Sequence, residues 1–408
     1  MTVQFDHTPT AVIGLGFGDE GKGMAVAHEC RRIIDATGRK PIVVRFNGGP
    51  QAAHNVRIVE DGRILHHTHS QFGSGAMLGA YTILAKGMLV DPIAMVNEGR
   101  SLEVTMRSPN VFGRVKVDLC CPVVTPSHAD VNRAIEHRRG DGRHGSTGRG
   151  IGVARACEEH AMEHGLHVFD VGTLFDRYKT TSEVVSWRGW MREHFGVDVK
   201  WSLDAGAEAE LLCGTIDYMF WRGLSFDHGT EWFIRNCIYN DDDIVFEGSQ
   251  GMLLDERYGW FPHVTYGDMT PSGAADLADG PVRVLGVTRS YQTRHGDGPM
   301  VTEGTCDIME YDNEWSEWAG KVRTGLLDLH TTAKMAREIH ADGIVVSNLD
   351  RYPGSYVVGW RLDENGGRAS LTSYKAGVGE FLREVAHACD APVTTVGMGD
   401  TLSNWKDL

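Results

Sequence analysis

The chain has 408 residues, of which 41% are hydrophobic and 23% charged, the balance of an ordinary globular protein with room for a large core. Its formal net charge of −15 argues against broad binding of duplex nucleic acid, because that interaction needs clustered positive charge. We find no basic leader and no apolar run of about 18 residues, so we expect neither secretion nor membrane insertion. The eight cysteines lack C-x-x-C spacing, which predicts reduced thiols and a cytoplasmic protein.

Short apolar runs alternate with helical patterns along the chain. Stretches such as 24–38 and 331–343 have apolar residues at helical spacing and end in glycine. The alternation predicts an α/β fold with a large, mostly parallel central sheet flanked by helices. Residues 173–240 are rich in tryptophan and charge and predict a helical subregion. The predicted buried strands are residues 11–16, 41–46, 83–90, 243–248, 282–288 and 343–349.

A glycine-rich loop follows the first predicted strand, within AVIGLGFGDEGKGMAV at residues 11–26. Its glycines let backbone N–H groups approach phosphate oxygens, and the helix that follows adds the positive end of its dipole. Lys22 can reach a transferring phosphoryl group. Asp19 does not suit a simple anion cradle, since a carboxylate repels phosphate. It indicates a proton acceptor or a magnesium ligand.

Two common nucleotide motifs resemble this loop without matching it. The spacing of Gly14, Gly16 and Gly18 is G-x-G-x-G, whereas the dinucleotide fingerprint is G-x-G-x-x-G. The P-loop pattern nearly fits up to Lys22, but Gly23 stands where serine or threonine is required. A plain tight turn before a helix needs one or two glycines, and this segment has five. The sequence therefore favours a phosphate site of another type.

Further loops carry residues suited to a nucleotide or a small acid. His54 follows a double glycine after the second predicted strand, in a position that favours a functional role. The segment 143–152 combines two hydroxyl side chains with Arg149, whose guanidinium can bind a carboxylate or a phosphate through two parallel hydrogen bonds. The segment 246–268 places Gln250 among glycines, where its amide suits a base edge. The segment 318–328 adds lysine and arginine that suit a dicarboxylate.

Six of these loops, taken in order, resemble the adenylosuccinate synthetase family. They are GDEGKG, NGGPQAAHN, GSTGRGIG, EGSQGMLLDERYGWFPHVT, TRHGDGPMVTE and RTGLLD, and they extend from residue 11 to about residue 350. The resemblance implies one domain over residues 1–408, working as a homodimer. It also implies a Mg²⁺-dependent ligase whose substrates are a purine nucleoside monophosphate, a nucleoside triphosphate and L-aspartate. In the family, a γ-phosphoryl group moves to O6 of the purine, and the aspartate amino group then displaces it at C6.

The resemblance assigns roles to individual positions. Asp19 matches the base that removes the N1 proton and binds Mg²⁺, and His54 matches the acid that stabilises charge at O6. Catalysis and triphosphate binding fall on Asp19, His54, Gly18, Glu20, Gly21, Lys22, Gly23, Asn55, Asn348 and Asp350. Monophosphate and purine binding fall on Gln51, Ser146, Thr147, Gln250, Leu254 and Thr265. Aspartate binding falls on Arg149, Lys321 and Arg323, and the carbonyl of Ala53 is the second magnesium ligand.

Several departures from the family pattern concern the choice of substrate. Asn348 replaces the lysine of a guanine-reading Lys-x-Asp pair, and Lys321 replaces an arginine near the 2′-hydroxyl. His295 stands where a small apolar residue is usual. In these changes the chain resembles a divergent branch of the family, found in phages whose DNA contains 2-aminoadenine. Enzymes of that branch join aspartate to dGMP with ATP or dATP, and they would act in the host cytoplasm. Retention of Asp19 keeps an ordinary IMP- and GTP-dependent enzyme as the alternative.

A hypothesis of another class is a catalytically silent nucleotide-binding paralogue. The altered positions Asn348 and Lys321 motivate it. The retained Asp19, Lys22 and His54 argue against it, because binding alone needs no base and acid beside a phosphate cradle.

Overall fold

The computed structural model describes residues 6–310, 317–318, 320–363 and 368–408. The helices are α1 (Lys22–Thr37), α2 (Pro92–Met106), α3 (Pro126–Arg139), α4 (Ile151–Glu163), α5 (Arg177–Phe195), α6 (Ala205–Trp221), α7 (Thr230–Tyr239), α8 (Ser272–Ala278), α9 (Leu329–Glu338) and α10 (Val378–Cys389). The strands are β1 (Thr10–Gly14), β2 (Ile42–Arg45), β3 (His54–Glu60), β4 (Arg63–His69), β5 (Tyr81–Leu84), β6 (Val115–Asp118), β7 (Ser225–Asp227), β8 (Ile244–Gly251), β9 (Arg283–Arg289), β10 (Tyr291–Arg294), β11 (Arg323–Asp328), β12 (Gly343–Ser347), β13 (Ser355–Leu362), β14 (Arg368–Lys375), β15 (Val393–Gly397) and β16 (Trp405–Asp407).

A ten-stranded sheet forms the centre of the molecule, in the order β16-β15-β12-β9-β1-β8-β2-β5-β6-β7. Its neighbouring strands pair in parallel except at the edge, where β16 runs antiparallel to β15. The predicted α/β fold with a large, mostly parallel sheet is therefore confirmed. The predicted strand at 83–90 was too long: β5 ends at Leu84. A four-stranded sheet, β10-β11-β13-β14, and the hairpin β3-β4 complete the strand topology.

The central strands are buried on both faces, as parallel strands covered by helices must be. All five residues of β1 are buried. Val12 packs into one apolar cluster, and its neighbours Ala11 and Ile13 pack into another, because side chains alternate along a strand. The two clusters thus lie on opposite faces of the sheet.

Local sequence explains where the helices near the site begin and end. Gly21 precedes α1 with φ of 89°, and Gly38 ends it with φ of 71° and donates its N–H to the carbonyl of Ile34. Both conformations are left-handed and favour glycine. The Asp91 carboxylate caps α2 by accepting a bond from the N–H of Ala94, and Pro92 occupies the first turn.

The segment 173–240, expected as a helical subregion, contains α5, α6 and α7 together with the short strand β7. The organisation of residues 1–408 as one domain stays a prediction. Among the residues with described positions, we find no helix that is long and apolar enough to cross a membrane. The loops that follow β1, β2, β8, β9 and β12 leave the same edge of the parallel sheet, where open α/β folds place their sites.

Candidate active site

The glycine loop after β1 is folded around the carboxylate of Glu20. One oxygen, Oε1, accepts bonds from the N–H groups of Gly16 at 3.0 Å and Gly18 at 2.7 Å. The other, Oε2, lies 2.9 Å from Lys22 Nζ, which also donates to the Gly18 carbonyl at 2.8 Å. Both charged side chains are at most 4% exposed. The loop therefore has the donors of an anion cradle, and an internal carboxylate engages them.

Asp19 lies beside this cradle, paired with a cation from β9. Arg289 Nη2 is 3.1 Å from Asp19 Oδ2, and its Nε donates to the Asp19 carbonyl. Burial opposes the charge of Arg289, but the Asp19 carboxylate helps to hold the pKa of that guanidinium above its usual range. His295 Nε2 lies 3.7 Å from the same Asp19 oxygen. The Asp19 side chain keeps 24% of its surface exposed, so a ligand can reach it.

His54 begins β3 and is held at both ring nitrogens. Nδ1 lies 2.5 Å from Glu247 Oε1, and Nε2 lies 3.1 Å from the Ser249 carbonyl oxygen. Burial lowers the pKa of His54, although the Glu247 carboxylate opposes that shift. A Cβ added at Gly23 would stand 2.8 Å from the His54 Cβ, so this glycine lets α1 sit directly against the histidine. The structure thus brings His54 to the start of the phosphate loop helix.

Glu247, on β8, is the fixed anion behind His54. It is fully buried and accepts bonds from the Ser74 backbone N–H at 2.8 Å and from the Ser74 hydroxyl. Burial raises the pKa of this carboxyl, but Arg45 and the bond from His54 prevail and lower it to about 2. The carboxylate is therefore ionised at neutral pH. It orients the imidazole in the way that a buried carboxylate orients a catalytic histidine.

The residues expected to bind the purine border the glycine loop. A Cβ at Gly18, where φ is +101°, would meet Gln250 Oε1 at 2.6 Å and Leu254 Cδ1 at 3.4 Å. Thr265 lies next to Leu254, because its N–H donates to the Leu254 carbonyl at 2.8 Å. The amide of Gln51 is buried, and neither of its polar atoms has a hydrogen-bond partner among the described residues. Gln250, Leu254 and Thr265 thus lie together beside the glycine loop, whereas Gln51 lies in the double-glycine loop beside Gly49.

The loop 143–150 reaches the double-glycine loop. Arg149 donates to the Pro50 carbonyl at 2.7 Å, and the Ser146 hydroxyl accepts from Asn132 Nδ2 at 3.0 Å. Thr147 is exposed. A Cβ at Gly145 would be 2.7 Å from the Asp297 nitrogen, so the backbone of this loop packs against the loop after β10.

The expected aspartate-binding positions have different surroundings in the structure. Arg323 begins β11 and donates to the carbonyls of Gly296 at 2.6 Å and Gly298 at 2.9 Å, and it pairs with Glu303 at 2.9 Å. Lys321 is exposed. Arg323 thus stabilises the loop that packs on Gly145, in the segment that also carries Arg149.

The remaining positions lie on β3 and after β12. The Asn55 side-chain oxygen accepts from Thr68 at 2.7 Å, which ties it to the hairpin, and Ala53 is exposed just before His54. Asn348 adopts φ of 52°, a left-handed conformation that asparagine tolerates well, and Asp350 beyond it is exposed.

Three residues of the site were missed by the sequence analysis. They are Glu247 behind His54, Arg289 on Asp19, and Ser347, whose hydroxyl donates to the Glu20 carbonyl at 2.7 Å. Glu247 lies within the segment 246–268 named in the sequence analysis, and Arg289 comes directly after the predicted strand 282–288. A charged residue at the end of a strand predicted to be buried was the available signal.

The family model of adenylosuccinate synthetase matches residues 11–359 of the chain. The chain belongs to the adenylosuccinate synthetase family. It is 31% identical over 359 residues to the adenylosuccinate synthetase of Pseudoalteromonas atlantica, covering 84% of this chain and 77% of the relative. It is 32% identical over 359 residues to that of Teredinibacter turnerae, with the same coverage.

Two solved structures share the fold of this adenylosuccinate synthetase family member. Fully ligated adenylosuccinate synthetase from Plasmodium falciparum has a TM-score of 0.79 at 17% identity, covering 99% of this chain and 100% of that one. The cyanophage S-2L succinoaminodeoxyadenylate synthetase, bound to dGMP and to dATP as an energy donor, has a TM-score of 0.60 at 18% identity, covering 99% and 96%.

The family resemblance found in the sequence is thus confirmed. The chain is a C–N bond-forming ligase of purine biosynthesis that binds nucleotides. Enzymes of this family require Mg²⁺ and take a nucleoside monophosphate, a nucleoside triphosphate and aspartate as substrates.

Proposed function

We propose that this ligase joins L-aspartate to C6 of a 6-oxopurine nucleoside monophosphate through a 6-phosphoryl intermediate. The observation that carries the proposal is the convergence of Asp19, Lys22 and His54 on one glycine loop. Lys22 is bonded into the loop, Asp19 lies in it, and the first helical turn after it packs against His54.

Each of these residues has a chemical task. Asp19, oriented by Arg289, accepts the N1 proton of the purine, so that O6 becomes a nucleophile. O6 attacks the γ-phosphorus of the triphosphate, and the diphosphate leaves. Lys22 and the glycine N–H groups stabilise the phosphoryl oxygens, and His54, oriented by Glu247, stabilises charge at O6. The aspartate nitrogen then bonds to C6, and phosphate departs with the oxygen.

The residues of the loop fit a magnesium ion. Mg²⁺ prefers hard oxygen ligands, and the partly exposed carboxylate of Asp19 is of that kind, as is the carbonyl of the exposed Ala53. We propose these two residues as its protein ligands. When bound, the ion neutralises charge on the triphosphate.

We propose dGMP, with ATP or dATP, as the substrate pair. A carboxylate at Asp19 has enough acceptor sites for both the N1–H and the 2-amino group of guanine. Asn348, which replaces the guanine-reading lysine, has a left-handed backbone in the turn after β12, and it weakens the case for GTP. The shared fold with a phage enzyme bound to dGMP and dATP is consistent with this choice.

IMP with GTP is the second candidate. Curated relatives at 31–32% identity are named adenylosuccinate synthetases, and the TM-score to the Plasmodium enzyme, 0.79, exceeds the 0.60 to the phage enzyme. The retained carboxylate of Asp19 can also accept a hydrogen bond from N1–H when the purine offers no second donor.

A substrate matrix tests both candidates. Phosphate release is followed with IMP, dIMP, GMP and dGMP, each crossed with ATP, dATP and GTP at fixed aspartate and Mg²⁺. We expect the highest kcat/KM with dGMP and ATP or dATP. A maximum with IMP and GTP would establish the ordinary reaction. Aspartate-dependent phosphate release without a purine monophosphate would contradict the mechanism. If no combination of substrates released phosphate, the result would favour the catalytically silent paralogue. The Asp19→Asn variant measures the background rate of phosphate release.

Sedimentation of the full chain tests the predicted homodimer.

A further inference from the structure

Two buried histidines of β4 face a carboxylate of α2, outside the site described above. Residues of β4 alternate between buried and exposed, and His67 and His69 both lie on its buried face. Glu98 projects from α2, which packs on that strand. One ligand atom from each of His67, His69 and Glu98 can be chosen so that all three lie within 4.8 Å of one another.

Three of the four ring nitrogens of the two imidazoles are buried without a hydrogen-bond partner among the described residues. His69 is fully buried, and neither ring nitrogen has a hydrogen-bond partner among the described residues. His67 is 5% exposed, and its Nε2 is likewise unpartnered. Buried polar atoms in folded proteins almost always have a partner, so three unpartnered ring nitrogens in two adjacent histidines point to a ligand beyond the described residues. Their ring centroids are 4.7 Å apart.

We propose that His67, His69 and Glu98 bind one divalent transition-metal ion of the Zn²⁺ type. Two imidazole nitrogens and one carboxylate oxygen form a donor set that zinc accepts, with a fourth position left for water. Imidazole ligands distinguish this site from an all-oxygen magnesium site. Ligand atoms around tetrahedral zinc are about 3.3 Å apart, so small rotations of the three side chains would close the site.

Backbone N–H groups hold the side chain of Glu98 in place beside the two imidazoles. Glu98 accepts bonds from the N–H groups of Ser70 at 2.9 Å, Gln71 at 2.8 Å and Phe72 at 3.0 Å, which fix its carboxylate beside the strand.

Charges on the neighbouring elements also act on this site. The positive charge of the Arg45 guanidinium on β2 disfavours a nearby cation, and the negative charge of the Glu247 carboxylate on β8 offsets that effect. His66 is next to His67 along the strand and acts on it electrostatically. His54 faces His69 directly across the β3–β4 ladder, so the proposed ion would lie behind the catalytic histidine.

Metal titration of the full chain tests the proposal. The reference chain carries His164→Gln, because the exposed His164 just after α4 and His160 in its last turn have ring centroids 4.2 Å apart and form a pair that could bind metal. The metal-stripped protein is titrated with Co²⁺, and the visible absorption bands are recorded before displacement by Zn²⁺. We expect one Co²⁺ per chain with the intense bands of tetrahedral coordination.

Variants identify the ligands. His67→Gln and His69→Gln should each weaken Co²⁺ binding about 100-fold, and the matched change His387→Gln at an exposed position of α10 should leave it unchanged. His69→Leu keeps the site apolar if glutamine disturbs folding, and circular dichroism verifies the fold. Zn²⁺ should raise the unfolding temperature of the reference chain and not of the His69 variants. Absence of Co²⁺ binding by the folded reference chain, or equal binding by His69→Leu, would overturn the proposal.

Discussion

The substitution Glu247→Gln tests the electrostatic support beneath His54. The wild-type carboxylate is fully buried, faces the Arg45 guanidinium and accepts bonds from His54 and Ser74. Glutamine has nearly the same shape but no charge. It would leave Arg45, whose side-chain nitrogens have no hydrogen-bond partner among the described residues, without its counter-ion. We therefore expect the variant to fold with a lower free energy of unfolding.

The size of the loss follows from the pKa of Glu247. A shift from the ordinary 4.5 to about 2 corresponds to about 3 kcal/mol of stability at neutral pH. Breaking a buried ion pair by removing one partner costs about 3–5 kcal/mol, which agrees. A loss of about 3 kcal/mol is a large part of the roughly 5–15 kcal/mol that holds a domain folded.

The pH dependence has a definite sign. Because folding lowers the pKa of Glu247, its contribution is complete above the unfolded pKa of about 4.5 and disappears as the pH falls towards about 2. The stability difference between wild type and Glu247→Gln should therefore be about 3 kcal/mol at pH 7 and about half of that near pH 3.

Urea unfolding at several pH values, followed by tryptophan fluorescence, measures this difference. Glu338→Gln, at an exposed position of α9, is the matched control and should leave the urea midpoint unchanged. Equal midpoints for Glu247→Gln and wild type at pH 7, or a difference that grows as the pH falls, would refute the reasoning. The variant should also lose turnover, since the imidazole of His54 loses its carboxylate partner.

Three further variants test the proposed roles. Asp19→Asn should lower kcat about 10²–10⁴-fold in a protein that still folds, because Arg289 keeps its pair with Glu310 at 3.0 Å, and near-normal turnover would remove Asp19 from the mechanism. His54→Asn should lower kcat while circular dichroism stays native; normal turnover with a large loss of stability would instead make His54 a structural residue. Arg323→Ala should raise the KM for aspartate more than that for the monophosphate, because its loop packs beside Arg149, and the opposite order in steady-state kinetics would contradict the assignment.

Local signals in the sequence were enough to predict six strands of the central sheet, whereas β6, β7, β15 and β16 were not predicted. Buried strands such as β1 and β12 are largely apolar runs, and the glycine-rich extension of β1 marks the phosphate loop. The error at residues 83–90 has a simple cause, because the apolar residues after Leu84 continue into a buried turn that is not a strand.

Partnerships between distant residues could not be predicted in this way. Glu247 is 193 residues from His54, and Arg289 is 270 residues from Asp19. Such pairs depend on which strands become neighbours in the sheet, and no periodicity within one segment encodes that order. The position of Glu20 illustrates a second gap, because its sequence neighbours indicate a phosphate site and give no hint that the side chain turns back into the loop.

The inward turn of Glu20 makes the proposed nucleotide binding an exchange of anions. A phosphate bound at this loop would compete with a carboxylate for the N–H groups of Gly16 and Gly18 and for the ammonium group of Lys22. Affinity for the triphosphate would then be the difference between two sets of bonds, and a change in the displaced side chain alone would alter it.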